Sequence, residues 1–200
     1  MTPLERTSRD LVIANRVLAN EGIADAFGHV SVRHPSKPER FLQSCSRSPE
    51  LVEQGDIMEF SLEGTPCDGD ERQPYLERFI HGAIYENRPD IHAIAHCHAD
   101  DVLPFTVAKY EMKIVLNGAN VLGAHIPLWD QRARFGDTNL LVVNIAQGRD
   151  LAASLGKNNV VLMRGHGFTA AAESLCVVLR MAILLPRNAR MQLAAMQLGE

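Results

Sequence analysis

At 200 residues the chain has room for one domain with a real core, and a hydrophobic fraction of 46% with a charged fraction of 22% is ordinary for a globular protein. A formal net charge of −4 gives no electrostatic case for binding nucleic acid or an acidic membrane surface. No apolar run approaches membrane-spanning length, and the charged start from Met1 to Asp10 lacks a signal-peptide core. The four cysteines form no Cys-x-x-Cys pair, so a reduced, cytoplasmic chain is expected.

Thr2-Pro3-Leu4-Glu5 reads as a helix start with a capping box, and Leu4, Leu11, Ala14 and Leu18 fall near one face of the helix that follows, with Gly22 as its stop. His29 to Arg33 alternates polar and apolar like a half-buried strand. Residues 41–44 and 57–60 are short strand candidates. Between them, Ser46-Arg47-Ser48-Pro49-Glu50 reads as a loop leading into a helical turn. Residues 64–74 form an exposed loop.

Residues 73–87 have helical character, with a stripe of Leu76, Phe79, Ile80, Ala83 and Ile84 that ends at Arg88-Pro89-Asp90. Residues 91–98 form a strand with Ile91, Ala93, Ala95 and Cys97 on one face. A helix over 100–108 follows, then a less regular stretch over 115–122 and an extended segment over 126–129. Residues 140–155 read as helical with a break near Gln147-Gly148, capped by Gly156. Residues 160–163 make a buried strand, and Gly165-His166-Gly167 a tight loop at its end. Residues 173–198 are a long helical segment interrupted at Pro186. These elements predict one α/β domain with a mixed sheet and helices packed on it.

Eight histidines invite individual inspection. His34, His92 and His125 read as ordinary polar residues. His81 lies one helical turn after Glu77, which suits either a functional pair or a helix-stabilising hydrogen bond, and the second is preferred. His96 and His98 share a strand face, with Cα atoms about 7 Å apart, so both imidazoles can reach one divalent ion. His166, between glycines at a strand end, is the candidate third ligand. Three imidazoles leave open coordination positions, as in a catalytic site, and zinc, manganese, cobalt or iron(II) all suit nitrogen ligands. Glu77 is either a solvated helix carboxylate or, if its helix lies over the metal, a further ligand or a general acid/base.

Glu77, His81, Tyr85, Arg88-Pro89-Asp90, His96, His98 and Gly165-His166-Gly167, with Gly28-His29-Val30-Ser31 upstream, resemble the class II aldolase/adducin family over almost the whole chain. The resemblance implies a single domain over residues 1–200, with α/β/α layers around a central, mainly antiparallel sheet. It implies a homotetramer with sites at subunit interfaces. It also implies one divalent metal ion per subunit on His96, His98 and His166, and Glu77 as catalytic acid/base. The sugar-phosphate members carry a Ser-Ser pair where this chain has Tyr75 and Leu76, and the aldolases use a Tyr that is missing from residues 112–117. Losing those hydroxyls argues against a phosphorylated sugar.

Asp25-Ala26-Phe27-Gly28-His29-Val30-Ser31, Ser46-Arg47-Ser48-Pro49-Glu50-Leu51, Glu77-Arg78-Phe79-Ile80-His81-Gly82 and Phe135-Gly136-Asp137 resemble the branch that decarboxylates hydroxylated aromatic and pyridine dicarboxylates. The expected chemistry is non-oxidative loss of carbon dioxide, with the metal stabilising the electron density left behind. Arg47 and Arg78 are expected either to hold a second carboxylate of the substrate or to be structural. His29 and Ser48 are candidate pocket residues. Two other readings stand beside this one. One is an aldolase acting on a non-phosphorylated hydroxy-oxo substrate. The other is a non-catalytic, adducin-like scaffold, which would have no physical need for three convergent imidazoles.

Overall fold

The computed structural model describes residues 1–199. Helix α1 (Pro3–Asn20) opens with the expected reciprocal cap, in which Thr2 and Glu5 each bond the other's backbone. Strands β1 (His29–Arg33), β2 (Arg40–Ser44) and β3 (Ile57–Ser61) then form an antiparallel meander. Helix α2 (Arg78–Asn87) crosses to β4 (Ala93–Cys97), which pairs antiparallel with β1. Three short elements follow: α3 (Leu103–Val107), β5 (Leu128–Trp129) and α4 (Arg132–Phe135). The chain ends with α5 (Ile145–Leu155), β6 (Val160–Met163), β7 (Gly167–Ala172) and α6 (Leu175–Gln197).

The sheet order is β3-β2-β1-β4-β7-β6-β5, and every pairing is antiparallel except β5 with β6. One core lies between the sheet and α1 with α6. It is built from Leu11, Leu18, Val30, Ala93, Ala95, Cys97, Phe168 and Leu185, among others. The second lies between the opposite face and α2 with α5, around Phe41, Phe60, Ile80, Ile84, Ile94 and Leu151. Each fully buried Leu or Phe contributes roughly 1.5–3 kcal/mol, so both layers are held by apolar burial. The α/β/α architecture with a mainly antiparallel sheet is as the resemblance implied.

Three local expectations are corrected. The strand β7 was not anticipated, because Gly-Phe-Thr-Ala-Ala-Ala neither alternates nor is rich in branched residues. It is a hairpin partner of β6, turning through Gly165 at φ +64°. Helix α5 has no break at Gly148. A Cβ there would lie 2.3 Å from the Phe79 carbonyl oxygen, so the glycine lets α5 press against α2. Helix α6 runs on through Pro186. Proline removes one backbone donor, but here the helix stays packed along a buried stripe that includes Pro186 itself.

Candidate metal centre

The site is built where β4, the β6–β7 turn and the start of α2 meet. Helix α2 begins at Arg78, later than the periodicity suggested, and Glu77 is its N-cap rather than part of its body. From there Glu77 turns inward and is only 5% exposed. Its Oε1 accepts a hydrogen bond from the Val142 N–H at 2.9 Å. Its Oε2 faces His96 Nε2 at 3.5 Å and His166 Nε2 at 3.4 Å.

The imidazoles converge. His96 Nε2 is 2.9 Å from His98 Nε2, which is 3.1 Å from His166 Nε2. One donor atom from each of Glu77, His96, His98 and His166 falls within 4.8 Å of all the others. Gly167 permits this closeness, since a Cβ there would sit 2.3 Å from the Cys97 carbonyl oxygen.

Whether the set fits a metal turns on where the protons are. Thr169 donates to Met163 Sδ, so its oxygen accepts from His96 Nδ1 at 3.2 Å. Asp25 lies 3.1 Å from His98 Nδ1 through both carboxylate oxygens. Each outer partner places the ring proton on Nδ1 and bares Nε2. Two Nε2 lone pairs then face one another at 2.9 Å with no proton between them. Nitrogens around a tetrahedral zinc at 2.0–2.1 Å are about 3.3 Å apart. The donor set therefore fits a divalent ion, with Glu77 near enough to be a fourth ligand or to act beside it.

The local electrostatics follow from burial and neighbours. Burial would raise the Glu77 carboxyl, but the His166 and His96 imidazoles beside it reverse this and hold it well below the usual carboxylate range. Burial pushes His96 down to about 4, against the pull of Glu77. Burial raises Asp25, yet the Phe27 N–H and His98 more than offset this and leave it below its ordinary value.

A cavity of about 520 Å³ opens beside the cluster. His29, Glu77, His98 and His166 form its polar side. Phe27, Tyr75, Leu76, Leu140 and Leu141 form its apolar walls, and Ser46 and Asn139 also line it. Tyr75 is fixed by a hydrogen bond from its hydroxyl to the Arg47 carbonyl, and burial pushes it up to about 12. Leu140 takes a left-handed φ of +65°, a conformation few non-glycine residues adopt.

Not every expected pocket residue lines this cavity. Arg47 is ion-paired with Asp56 at 3.1 Å. Arg78 donates to the Gly64 and Tyr75 carbonyls and lies over the Phe79 ring. Ser48 precedes the short helical turn Pro49–Leu51. None of the three is among the lining residues. The expected Glu77–His81 bond is also absent, because both His81 nitrogens are taken by His29 and Ser31. Asp25 and Thr169 were missed as supports of the ligands. The Asp-x-x-Gly turn was the available signal for Asp25, whose carboxylate caps the Phe27 and Gly28 amides.

A family profile described as Class II Aldolase and Adducin N-terminal domain matches residues 9–193. The chain belongs to the class II aldolase and adducin family. It is 32% identical over 204 residues to the decarboxylase tropJ of Talaromyces stipitatus, covering 96% of this chain and 77% of that one. It is 28% identical to the 3,4-dihydroxyphthalate decarboxylase of Arthrobacter keyseri, covering 94% and 78%. Among solved structures, an aldolase II superfamily protein from Pseudomonas syringae matches with TM-score 0.83 and 21% identity over 100% of this chain and 79% of the other. L-fuculose 1-phosphate aldolase from Glaciozyma antarctica matches with TM-score 0.81 and 23% identity, covering 98% and 76%. The sequence relatives mark this family member as a lyase of the decarboxylase and aldolase kind, and the structural matches speak to the fold.

Proposed function

We propose that this protein is a divalent-metal-dependent carboxy-lyase that removes carbon dioxide from a hydroxylated aromatic or pyridine carboxylate. The carrying observation is the juxtaposition of four convergent ligand atoms with an apolar cavity walled by Tyr75, Leu76, Leu140 and Leu141. His96, His98 and His166 would hold the ion. Bound there, it supplies Lewis-acid stabilisation of negative charge on a substrate oxygen. The similarity to tropJ and to the dihydroxyphthalate decarboxylase supports the reaction type.

The protein's own groups do the rest. The apolar walls accept a flat ring and exclude water, which strengthens each polar contact inside. Glu77 takes the proton of the substrate hydroxyl as the substrate settles. The bond from ring carbon to carboxylate breaks, its electron pair stays on the ring carbon, and carbon dioxide leaves. Glu77 returns its proton to that carbon, so the product departs as the phenolate and is protonated by solvent. The Val142 N–H keeps Glu77 aimed throughout. The working assembly in this reading is a homotetramer with sites at its interfaces, which light scattering on the purified protein checks.

The deciding assay measures released carbon dioxide from a panel of hydroxylated benzoates, phthalates and pyridine carboxylates. Release from at least one, with solvent deuterium entering the vacated ring position, is the expected result. Cleavage of a hydroxy-oxo acid to two carbonyl products, with no carbon dioxide from any aromatic acid, would make it an aldolase. Activity toward neither, in protein without bound metal, would favour the scaffold.

A further inference from the structure

Four buried side chains on β1 and α2 form a hydrogen-bonded file that ends at the cavity. The Tyr85 hydroxyl is 2.9 Å from Ser31 Oγ. Ser31 Oγ is 2.6 Å from His81 Nδ1, and His81 Nε2 is 2.7 Å from His29 Nδ1. None of the four residues is more than 1% exposed. The remaining nitrogen, His29 Nε2, has no partner among the described residues, and His29 lines the cavity.

The protons in this file can be ordered in only one way that leaves the unpartnered proton at the cavity rather than in the interior. Among the described residues, the Tyr85 hydroxyl has Ser31 Oγ as its one partner, so it donates there. The Ser31 proton must then go to its other partner, His81 Nδ1. A neutral His81 with a bare Nδ1 carries its proton on Nε2 and donates it to His29 Nδ1. A neutral His29 is then protonated on Nε2. Running the file backwards strands the Tyr85 proton in the interior, where an unmade hydrogen bond carries the full desolvation cost.

We infer that Tyr85, Ser31 and His81 fix His29 as an Nε2–H donor aimed at an oxygen of the molecule in the cavity. The group recognised is an acceptor: a carboxylate, phenolate or carbonyl oxygen. His29 touches the ligand, and the other three are positioning residues. The ligand's identity as an aromatic acid rests on the proposed function, whereas the proton order does not.

Histidine-selective ¹⁵N labelling of the full-length, zinc-loaded protein reads the tautomers directly. His29→Asn and His81→Gln spectra assign the two rings. Both are expected as the Nε2–H tautomer, and finding either protonated on Nδ1 overturns the inference. Calorimetric titration with 2-hydroxybenzoate tests the ligand half. His29→Leu should weaken binding about tenfold, the worth of one hydrogen bond to an ionised acceptor. His29→Asn, which keeps an N–H donor, should recover most of that. Tyr85→Phe should give a smaller loss and a mixture of His29 tautomers, with zinc content unchanged. Equal losses in the Asn and Leu variants, no binding to the unmodified protein, or a Tyr85→Phe variant that alters neither affinity nor tautomer, counts against it. Should no aromatic acid release carbon dioxide while the tautomers are as expected, the proposed function falls and the proton order stands.

Discussion

Two histidine clusters lie side by side in this protein, and they are opposite in kind. His96 and His98 have bare Nε2 atoms set by their outer partners Thr169 and Asp25, and His166 Nε2 turns toward them although its Nδ1 has no partner among the described residues. His29 and His81 are bridged through ring nitrogens that alternate as donor and acceptor along a file ending at Tyr85. The ring centroids of His29 and His96 are only 5.1 Å apart, so proximity does not separate the two sets. What separates His96 and His98 from His29 and His81 is the partner on the far side of the ring. A proton acceptor behind Nδ1 makes a ligand, whereas a serine hydroxyl with a proton to give makes a relay.

The strongest way to break this contrast is to remove the cation. Exhaustive chelation should take turnover to background, and added divalent ion should restore it, while the His29–His81 tautomers stay unchanged by NMR. Activity that survives with no metal detectable would remove the metal from the reaction. Next in size, Glu77→Gln should retain metal and lose about a hundred- to ten-thousand-fold in turnover, the usual worth of a positioned acid/base. A variant with near-normal turnover would take Glu77 out of the proton path. Asp25→Asn removes the charged acceptor behind His98 and should weaken metal affinity about 10–100-fold. His81→Gln, its counterpart in the relay, should leave metal content unchanged. Equal metal loss in both variants would erase the distinction.

A last effect is on stability in acid. Burial depresses His81 to about 3 in the folded protein, against 6.5 for an ordinary histidine. The unfolded chain therefore binds the extra proton first as pH falls. Stability is fully present above about pH 6.5 and declines toward pH 3, by up to about 1.4 kcal/mol per unit for this one group. Denaturant titrations of His81→Gln over that range should show a shallower decline. A slope equal to that of the parent would mean other groups carry the dependence.

The convergence of His96, His98 and His166 was legible in the sequence because it rests on short-range rules. His-x-His on a strand must share a face, and a histidine between glycines at a strand end is free to close in. The capping box of α1 was legible for the same reason. What could not be read involves contacts between distant segments. Val142 reaching Glu77, Thr169 behind His96 and Ser31 against His81 join residues 65, 73 and 50 positions apart. Arg78 is instructive in the other direction. Next to Glu77 in sequence, it was open to a substrate contact or a structural role, and its guanidinium holds the Gly64 and Tyr75 carbonyls. Gly148 shows how a composition rule fails. Read as a helix break, it is where two helices approach too closely for any side chain.

Strand β4 carries both layers of the molecule. Cys97, buried in the α1–α6 core, sits between His96 and His98 of the candidate metal centre. The cavity's apolar side is contributed instead by loop residues, at 27 ahead of β1, 75–76 ahead of α2 and 140–141 ahead of α5. Selection can therefore rewrite what the cavity admits through a handful of loop codons, without disturbing the strand that holds the reactive apparatus.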